Sequence, residues 1–362
     1  MTHIKAIITD ASRGGVSTKT IDANREDYKV LLSPIYTGIC GTDRGIVSGS
    51  LKFAYNPEGS DYLILGHESV CEVKESNVAG FKKGDLVVPL VRRPGDCVNC
   101  RIGRSDNCSD GNKHEAGITG MHGFMQELFT DDPEFLVKVE DRSLREIAVL
   151  TEPLKNVMKG FEVFQKVSSR YIFSGSDSTY LEKHALIIGT GCEAFLYTMM
   201  ANEFGFNSMM TNRHPLSQNM LADLNDLNLS FVDYSQNPDK PFSSGIDLLI
   251  DTSGDPATVF NFIRKVNYNG VVLLFGTNGR APPGSFDGVD IDYLIERNIT
   301  IAATVDAAKI HYLQAIGYLS KWHYKYGNKL DRVITGKFSP DDNSLFERKQ
   351  KDELKSVIQW ND

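Results

Sequence analysis

The segment HALIIGTGCEAFLYTMMANEFG, residues 184–205, carries the strongest structural signal in the chain. A short apolar run precedes a glycine turn and then apolar residues at helical spacing, which predicts a buried strand, a turn and a helix. The turn contains G-x-G-x-x-A at Gly189, Gly191 and Ala194. At this spacing the first glycine makes the turn, the second lets backbone approach a pyrophosphate, and the alanine allows close packing of helix on strand. An ordinary strand–helix turn is the alternative, but the helix N-terminus favours an anion site.

The same alternation of apolar strands and helices continues to about residue 304. Strands are predicted over SMMTN, SFVDY, DLLIDTS, GVVLLFG and ITIAAT, with helices over LSQNMLADLNDL and PATVFNFIRKV. Continuous apolar strands between helices imply a parallel sheet that is covered on both faces. This part of the chain is therefore predicted to be an α/β layer structure built around the glycine turn.

The end of the next strand distinguishes between the two nicotinamide cofactors. An NAD site usually has Asp or Glu about 20 residues after the glycine turn, where it binds the ribose 2′-hydroxyl. This chain has Asn212, Arg213 and His214 there, and no carboxylate that would repel a 2′-phosphate. An arginine can bind a phosphate through two hydrogen bonds. The pattern favours NADP, leaves some use of NAD open, and has a solvated turn as its alternative.

The first 140 or so residues show short strands between glycine and polar turns, which is typical of a small irregular barrel. The strongest candidates are KAIITD, YKVLLSPIY, YLILGHESVCEV, GDLVVPLV and FLVKV. A helix is predicted from Ser143, as N-cap, to Lys166, followed by a linker or loop at SSRYIFSGSDST, residues 168–179. Near the end, a helix over roughly 306–326 and a strand at LKSVIQW are predicted, and residues 310–362 are expected to rejoin the first domain.

The composition is that of an ordinary globular chain and excludes some classes of partner. The 362 residues suggest about two domains on a prior of roughly 150 residues each. The net charge of −8 argues against a general nucleic-acid binder, which needs an excess of Lys and Arg. No apolar run approaches the roughly 18 residues of a membrane span, and the apolar stretch in MTHIKAIITDASRGG is too short for a secretory signal. We therefore expect a cytoplasmic protein with a small-molecule partner, no nucleic acid and no membrane.

The cysteines point to metal rather than to disulfides. Three of the six fall within twelve residues, 97 to 108, which in a cytosolic chain of this size indicates a metal site. Separately, Cys40, His67 and Glu152 form a plausible zinc set, because zinc takes thiolate, imidazole and carboxylate ligands. They lie far apart in sequence, so a buried cysteine and a core histidine remain the alternative from spacing alone.

Five strings occur in the order and spacing of the zinc-dependent medium-chain dehydrogenases: GICGTD, GHE, GDCVNCRIGRSDNC, LTEPL and GTGCEA. The chain resembles this family over essentially its whole length. Further strings resemble the branch of archaeal glucose 1-dehydrogenases, particularly those of thermoacidophiles: VVPLVRRPG, KHEAGITGMHGFM, TEPLKN, DTSGDP and FGTNG. The resemblance implies a GroES-like β-barrel catalytic domain over residues 1–182 and 310–362, and a Rossmann domain with a doubly wound parallel sheet over residues 183–309.

The resemblance also implies roles for individual residues. Cys40, His67 and a carboxylate, Glu68 or Glu152, would hold a catalytic zinc, with Glu68 either a direct ligand or a neighbour of the ligands. Thr42 would contact the reacting hydroxyl and begin proton relay. Sugar hydroxyls would meet Thr42, Glu115, Glu152, Asn156 and Asp306. The cofactor would contact Gly189, Thr190, Gly191, Cys192, Glu193, Ala194, Asn212, Arg213, His214, Phe275, Gly276, Thr277, Thr304, Val305 and Asp306.

The family's structural zinc usually has four cysteines spaced three, three and eight apart. This chain keeps Cys97, Cys100 and Cys108, but the first position falls near Pro94, which cannot bind metal. Since structural zinc requires four ligands, the fourth would come from Asp96, Asp106 or His114, unless the lobe is metal-free. Cys71 and Cys192 are expected to be packing residues.

The leading hypothesis is zinc-dependent oxidation of D-glucose, or of another aldose such as D-galactose, at C1 to the 1,5-lactone, with hydride transfer to NADP. A polyol, threonine or simple alcohol dehydrogenase on the same scaffold is the second. A non-catalytic zinc-binding module is the third, and the acidic charge and the intact catalytic-zinc set argue against it. The family also suggests a homo-oligomer, tetramer or dimer, in which a late edge strand pairs across subunits; that expectation rests on analogy.

Overall fold

The computed structural model describes residues 2–23, 29–112, 114–170, 183–235, 242, 244–277 and 287–360. The strands are β1 (His3–Asp10), β2 (Gly14–Asp22), β3 (Val30–Ile39), β4 (Leu63–Ile64), β5 (Glu68–Ser76), β6 (Leu86–Pro89), β7 (Arg92–Arg93), β8 (His114–Ala116), β9 (Gly120–Met121), β10 (Phe129–Asp131), β11 (Leu136–Lys138), β12 (His184–Ile188), β13 (Asn207–Asn212), β14 (Phe231–Asp233), β15 (Ile246–Asp251), β16 (Val266–Leu274), β17 (Thr300–Ala303), β18 (Ile334–Phe338) and β19 (Lys355–Gln359). The helices are α1 (Gly41–Val47), α2 (Val98–Arg101), α3 (Thr151–Ser168), α4 (Cys192–Glu203), α5 (Gln218–Asp226), α6 (Pro256–Ile263), α7 (Gly288–Glu296) and α8 (Lys309–Tyr326). Short 3-10 turns lie at Ser105–Asn107, Pro133–Phe135, Arg142–Glu146, Ala148–Leu150, Gly327–Val333 and Asn343–Phe346.

The chain forms two compact units, residues 1–155 with 306–362, and residues 156–305. The first unit is built on a seven-stranded sheet in the order β11-β6-β5-β3-β19-β18, with β10 also paired to β3. Every residue of β3 is buried, which explains why its sequence is almost continuously apolar. Pro34 lies within β3, where the register shifts between Pro34 and Tyr36, so the missing N–H falls at an irregularity in the pairing.

The second unit is a six-stranded parallel sheet in the order β14-β13-β12-β15-β16-β17. This confirms the parallel sheet predicted from the alternating pattern. The strand order reverses between β12 and β15, which are neighbours in space but separated by two strands in sequence. In open sheets of this kind, ligands bind beyond the carboxyl ends of the strands at such a reversal. The predicted cofactor turn, Gly189–Ala194, follows β12 directly.

The second unit begins earlier in the chain than the predicted Rossmann range of 183–309. Most of α3 belongs to this unit because its aromatic face packs there: Phe161 lies 4.5 Å from Phe204 between ring centroids, and Phe164 lies 5.7 Å from Phe206. Gly160 allows this approach, because a Cβ at that position would overlap the hydroxyl of Tyr197. The predicted linker, residues 168–179, lies largely outside the described residues.

The predicted start of α3 is wrong. A helix from Ser143 would place Pro153 in its interior, where the ring clashes with the carbonyl four residues back. Instead two 3-10 turns come first, and Ser143 donates to the carboxylate of Asp141 from its own N–H, so Asp141 is the capping residue. The helix proper starts at Thr151, which puts Pro153 in the first turn, where a missing N–H costs little.

The predicted strand YLILGHESVCEV is interrupted. It forms β4 and β5 with Leu65, Gly66 and His67 between them. Gly66 has φ of +88°, a left-handed conformation that favours glycine, and a Cβ there would overlap the side chain of Met125. Because of this break, His67 lies between two strands and its side chain does not follow the alternation of a continuous strand.

Candidate active site

Cys40 ends the central strand and starts a helix. It follows β3 directly and is the N-cap of α1: its Sγ accepts from the N–H of Thr42 at 3.2 Å, and its own N–H donates to the carboxylate of Asp43 at 2.9 Å. A thiol between glycines is therefore held by a reciprocal capping interaction. Burial raises the pKa of the Cys40 thiol, so a bound cation is what would hold it as a thiolate.

His67 faces this thiol. Its Nε2 lies 3.1 Å from Cys40 Sγ, and its Nδ1 lies 3.5 Å from Oδ1 of the fully buried Asp43. Burial opposes protonation, but the negative charges of Cys40 and Asp43 outweigh it and raise the pKa of His67 well above its usual value. A carboxylate behind Nδ1 orients the ring so that Nε2 is directed at a metal, an arrangement common at zinc sites. The sequence analysis assigned no role to Asp43. Its position three residues after Cys40, which is the capping position of the helix, could have indicated that it lies at the site.

Glu68 completes the donor set. Ligand atoms of Cys40, His67 and Glu68 all lie within 4.8 Å of one another, and all three side chains are buried. Glu68 pairs with Gly38 of β3, where a Cβ would overlap its carboxylate. The first glycine of GICGTD is therefore required for this close approach. A thiolate, an imidazole and a carboxylate are a set that binds zinc, so these residues fit the metal.

Lys355, in the last strand, neutralises Glu68. Its Nζ lies 2.7 Å from both carboxylate oxygens, and both side chains are buried. An ammonium on both oxygens competes with a metal for the carboxylate. The sequence reasoning missed Lys355 because it lies 287 residues from Glu68.

Glu152, the other predicted carboxylate, lies outside that three-residue donor set in the described part of the chain. It is buried in the first turn of α3, and its Oε1 lies 3.1 Å from Nζ of Lys155. The same Nζ lies 2.8 Å from Oδ1 of Asp306. Lys155 therefore joins two of the predicted sugar-binding carboxylates.

Arg92 extends this arrangement. Its guanidinium contacts Oδ2 of Asp306 and also Oε1 of Glu115, the latter from Nε at 3.0 Å. We call the series Glu152, Lys155, Asp306, Arg92 and Glu115 the charge ladder; its first four members are buried and Glu115 is half-buried. Burial would raise the pKa of Asp306, but Lys155 and Arg92 outweigh it and lower the pKa. Asp306 also has φ of +56°, a strained conformation for a residue with a side chain.

Asn156 lies in the second unit, one residue after Lys155. Its Oδ1 is buried, and no hydrogen-bond donor for it is found among the described residues. A buried amide oxygen without a donor is costly. This oxygen can therefore accept from a bound molecule.

The predicted cofactor residues of the second unit gather at one edge of its sheet. Gly189 to Ala194 follow β12, Asn212 to His214 end or follow β13, Phe275 to Thr277 follow β16, and Thr304 and Val305 follow β17. Asn212 donates to the hydroxyl of Thr190 at 3.1 Å, which links two of these strand ends. Gly189 has φ of +121°, and a Cβ there would overlap Thr252. Arg213 is exposed and forms an ion pair with Asp255 at 3.8 Å, a long pair that contributes little.

The thiols of Cys97, Cys100 and Cys108 also lie within 4.8 Å of one another. Asp106, a predicted fourth ligand, is buried, and Arg104 donates to both of its carboxylate oxygens at 2.9 and 2.7 Å. Its carboxylate is therefore already engaged. Cys71 and Cys192 are buried, as expected of packing residues.

Replacing Lys355 with Met should destabilise the metal-free protein. Loss of one partner of a buried ion pair costs about 3–5 kcal/mol, whereas a double replacement with Glu68→Gln should recover much of that loss. Chemical denaturation of the metal-free single and double variants measures both. If Lys355→Met alone unfolds at the wild-type denaturant concentration, the pair does not stabilise the fold.

Known proteins match the chain over its whole length. The family model for the glucose dehydrogenase C-terminus matches residues 145–360, and the model for the alcohol dehydrogenase GroES-like domain matches residues 26–141. The glucose 1-dehydrogenase of Thermoplasma acidophilum is 56% identical over 99% of this chain and 100% of its own length. That of Metallosphaera sedula is 38% identical over 99% of both chains.

Among solved structures, the Haloferax mediterranei glucose dehydrogenase in complex with NADP, Zn and gluconolactone has a TM-score of 0.84 at 25% identity, covering 99% of both chains. The predicted fold class, a GroES-like domain with a Rossmann domain, is confirmed by these matches. No helix in the described ranges is long and apolar enough to cross a membrane. The chain therefore belongs to the glucose dehydrogenase family of zinc-dependent medium-chain dehydrogenases.

Proposed function

We propose that this chain oxidises D-glucose at C1 to the 1,5-lactone and transfers the hydride to NADP, with zinc bound at Cys40. The observation that carries the proposal is the buried donor set of Cys40, His67 and Glu68 in a chain 56% identical to a glucose 1-dehydrogenase. The enzyme is an oxidoreductase that uses zinc and NADP. Some use of NAD and of other aldoses such as D-galactose is part of the proposal.

The residues around the proposed zinc have different roles in activating the sugar hydroxyl. A bound zinc would lower the pKa of a coordinated hydroxyl, as it lowers that of water to about 7 in favourable sites. Cys40 and His67 would bind the metal, and the carboxylate of Asp43, 3.5 Å from Nδ1 of His67, would orient the imidazole. Thr42, at the start of α1, accepts the hydroxyl proton and passes it outward. Because Lys355 holds both oxygens of Glu68, we propose that this carboxylate is a reserve ligand.

The charge ladder would recognise the sugar. A polyol offers several hydroxyls in fixed directions, and each needs an oriented partner. Glu115, Glu152 and Asp306 are held by Arg92 and Lys155, so their carboxylates are oriented before a substrate arrives. The buried Oδ1 of Asn156 adds a further acceptor. Asp306 has both oxygens occupied by cations, so in this proposal it orients Lys155 and Arg92 as much as it meets a hydroxyl.

The strand-end residues of the second unit would bind the dinucleotide. The N-terminus of α4 would face the pyrophosphate, and Asn212 with Arg213 would face the adenosine ribose. Arg213 is exposed and weakly paired, which suits an incoming 2′-phosphate. Phe275, Gly276, Thr277, Thr304 and Val305 would line the nicotinamide side.

Polyol, threonine or alcohol oxidation on the same scaffold is the alternative within the enzyme class. A non-catalytic zinc-binding module is disfavoured, because it has no use for an oriented set of buried carboxylates. The six free cysteines agree with the proposed cytoplasmic location, where thiols stay reduced.

The substrate assignment predicts a clear ranking of rates. Initial rates with NADP should be highest for D-glucose or D-galactose, much lower for sorbitol and ethanol, and should fall after zinc is removed by a chelator. Cys40→Ser should lower the rate to a similar extent without changing NADP binding. Turnover of sorbitol, threonine or ethanol in preference to any aldose contradicts the sugar assignment, and chelator-resistant turnover contradicts the zinc mechanism.

Lys155→Met should impair sugar binding. Hydrogen bonds to charged groups contribute about 1.5–3 kcal/mol, so kcat/KM for glucose should fall about 10- to 150-fold, mainly through KM. The KM for NADP should stay unchanged. Lys166→Met on the same helix is the control, since Lys166 is 64% exposed and pairs with Glu162 on the helix surface. Equal kcat/KM values for the two variants contradict a role for Lys155 in positioning.

We propose that the chain forms a homo-oligomer through β17, one of the two edge strands of the parallel sheet. Its Ile301 is 38% exposed, and the adjacent part of the chain exposes Val289, Ile291 and Ile295. Ile301→Lys should shift the sedimentation coefficient toward the monomer, because an edge lysine opposes strand pairing. Ile310→Lys, on α8, is the control. A wild-type monomer at micromolar concentration contradicts the proposal.

A further inference from the structure

The three cysteines of the 97–108 segment are brought together by two short turns. Cys97 is the N-cap of α2, Cys100 lies within that helix, and Cys108 follows the 3-10 turn at Ser105–Asn107. The sulfurs of Cys97 and Cys100 are 3.6 Å apart, and no disulfide joins them. Three clustered thiols fit a structural zinc, which requires a fourth ligand to close the tetrahedron.

We propose that Asp110 is that fourth ligand. Its Oδ1 lies 2.8 Å from Cys108 Sγ. Among the described residues, no other carboxylate is seen in contact with a thiol of this cluster. A thiol and a carboxylate at this distance are close enough for one zinc ion to bind both, with loss of the thiol proton. Asp110 was not among the candidates Asp96, Asp106 and His114 that the sequence suggested.

Asp110 also reaches the position that the missing cysteine would occupy. The absent donor falls near Pro94, and the next residue, Gly95, donates its N–H to Cys100 Sγ at 3.3 Å. A Cβ on Gly95 would lie 3.0 Å from Oδ1 of Asp110. The carboxylate therefore lies close to the backbone of Gly95 and to the thiol of Cys108, which is where a substitute for the missing cysteine is needed.

Backbone groups hold this carboxylate in place. The N–H of Asn112 donates to Oδ1 at 3.0 Å, and backbone N–H groups of Asp96 and of Asp110 itself also bond to the carboxylate. Asp110 is thus oriented toward Cys108 without a metal ion present. A pre-oriented ligand loses little side-chain entropy when the metal binds.

Two of the other candidates, Asp106 and His114, have different surroundings. Asp106 is bound through both oxygens by Arg104 and has a fully buried side chain. His114 lies on β8, where its Nδ1 stands 2.5 Å from the position that a Cβ on Gly120 would take, so the ring covers β9. Among the described carboxylates and histidines, Asp110 is the one in contact with a thiol of this cluster.

A site of three thiolates and one carboxylate has the same charge as a four-cysteine site but a harder fourth ligand. Oxygen binds zinc more weakly than thiolate does in such sites. We therefore expect this zinc to leave more readily than it would from four cysteines. The inference concerns metal retention alone, so it does not depend on the identity of the substrate.

The test uses the full chain loaded with zinc or with cobalt. Asp110→Ala should speed release of zinc to a chromogenic chelator by at least about tenfold, since a ligand is lost. Asp110→Cys should slow release below the wild-type rate. In the cobalt form, Asp110→Cys should raise the sulfur-to-cobalt charge-transfer absorption by about one quarter, because one thiolate is added to Cys40 and the three lobe cysteines.

Asp96→Asn is the matched control, because Asp96 carries a carboxylate in the same lobe and bonds to Asp110 through its backbone N–H. Its release rate and cobalt spectrum should equal those of the wild type. If Asp110→Ala behaves like Asp96→Asn and Asp110→Cys adds no charge-transfer absorption, Asp110 is not the ligand. The cysteine variant keeps the test decisive even if the alanine variant folds poorly.

Discussion

A buried carboxylate must be paired with a cation, and in this protein the two partners, Glu68 and Lys355, lie 287 residues apart in the sequence. Glu68 opens β5 and Lys355 opens β19, and the two side chains are 1% and 2% exposed. Between them runs β3, whose Gly38 leaves room for the carboxylate and whose last residue precedes Cys40. The C-terminal strand must therefore be in place before the metal site is electrostatically balanced. The first unit therefore includes a C-terminal segment, residues 306–362, which follows the whole of the second unit in the sequence.

The first unit contains two kinds of charged site that obey the same rule. At Cys40 a thiol and an imidazole converge with Asp43 behind them, and together with Glu68 they form a set of donor atoms that can bind a metal cation. In the charge ladder the cations are already present as Lys155 and Arg92, which hold Glu152, Asp306 and Glu115. The protein thus supplies its own cations where carboxylates must stay fixed. At Cys40, in the function proposed above, a bound metal would supply the positive charge that activates a hydroxyl.

In the second unit the constraint is the direction of the strands rather than charge. Because all six strands are parallel, their carboxyl ends meet at one edge, and residues far apart in sequence become neighbours there. Thr190 and Asn212 show this directly, since their side chains are hydrogen-bonded although they belong to different strand ends. The turn after β12 is then set by local chain geometry: Gly189 adopts a positive φ and leaves the space that Thr252 occupies.

The sequence by itself determined what depends on local pattern: the glycine turn, the parallel sheet, the cysteine cluster, and the strings that carry the family resemblance. Each of these is read from strings or periodic patterns in which the individual signals are local to the chain, where periodicity and spacing act. Tertiary structure alone decided the partners of charged groups, since Lys355, Arg92 and Lys155 are distinguished from surface residues only by what packs against them. It also moved the start of α3 to Thr151 and brought Asp110, rather than Asp106, to the thiols. Burial and pairing of charges are properties of the folded chain, because they depend on residues that fold together from distant parts of the sequence.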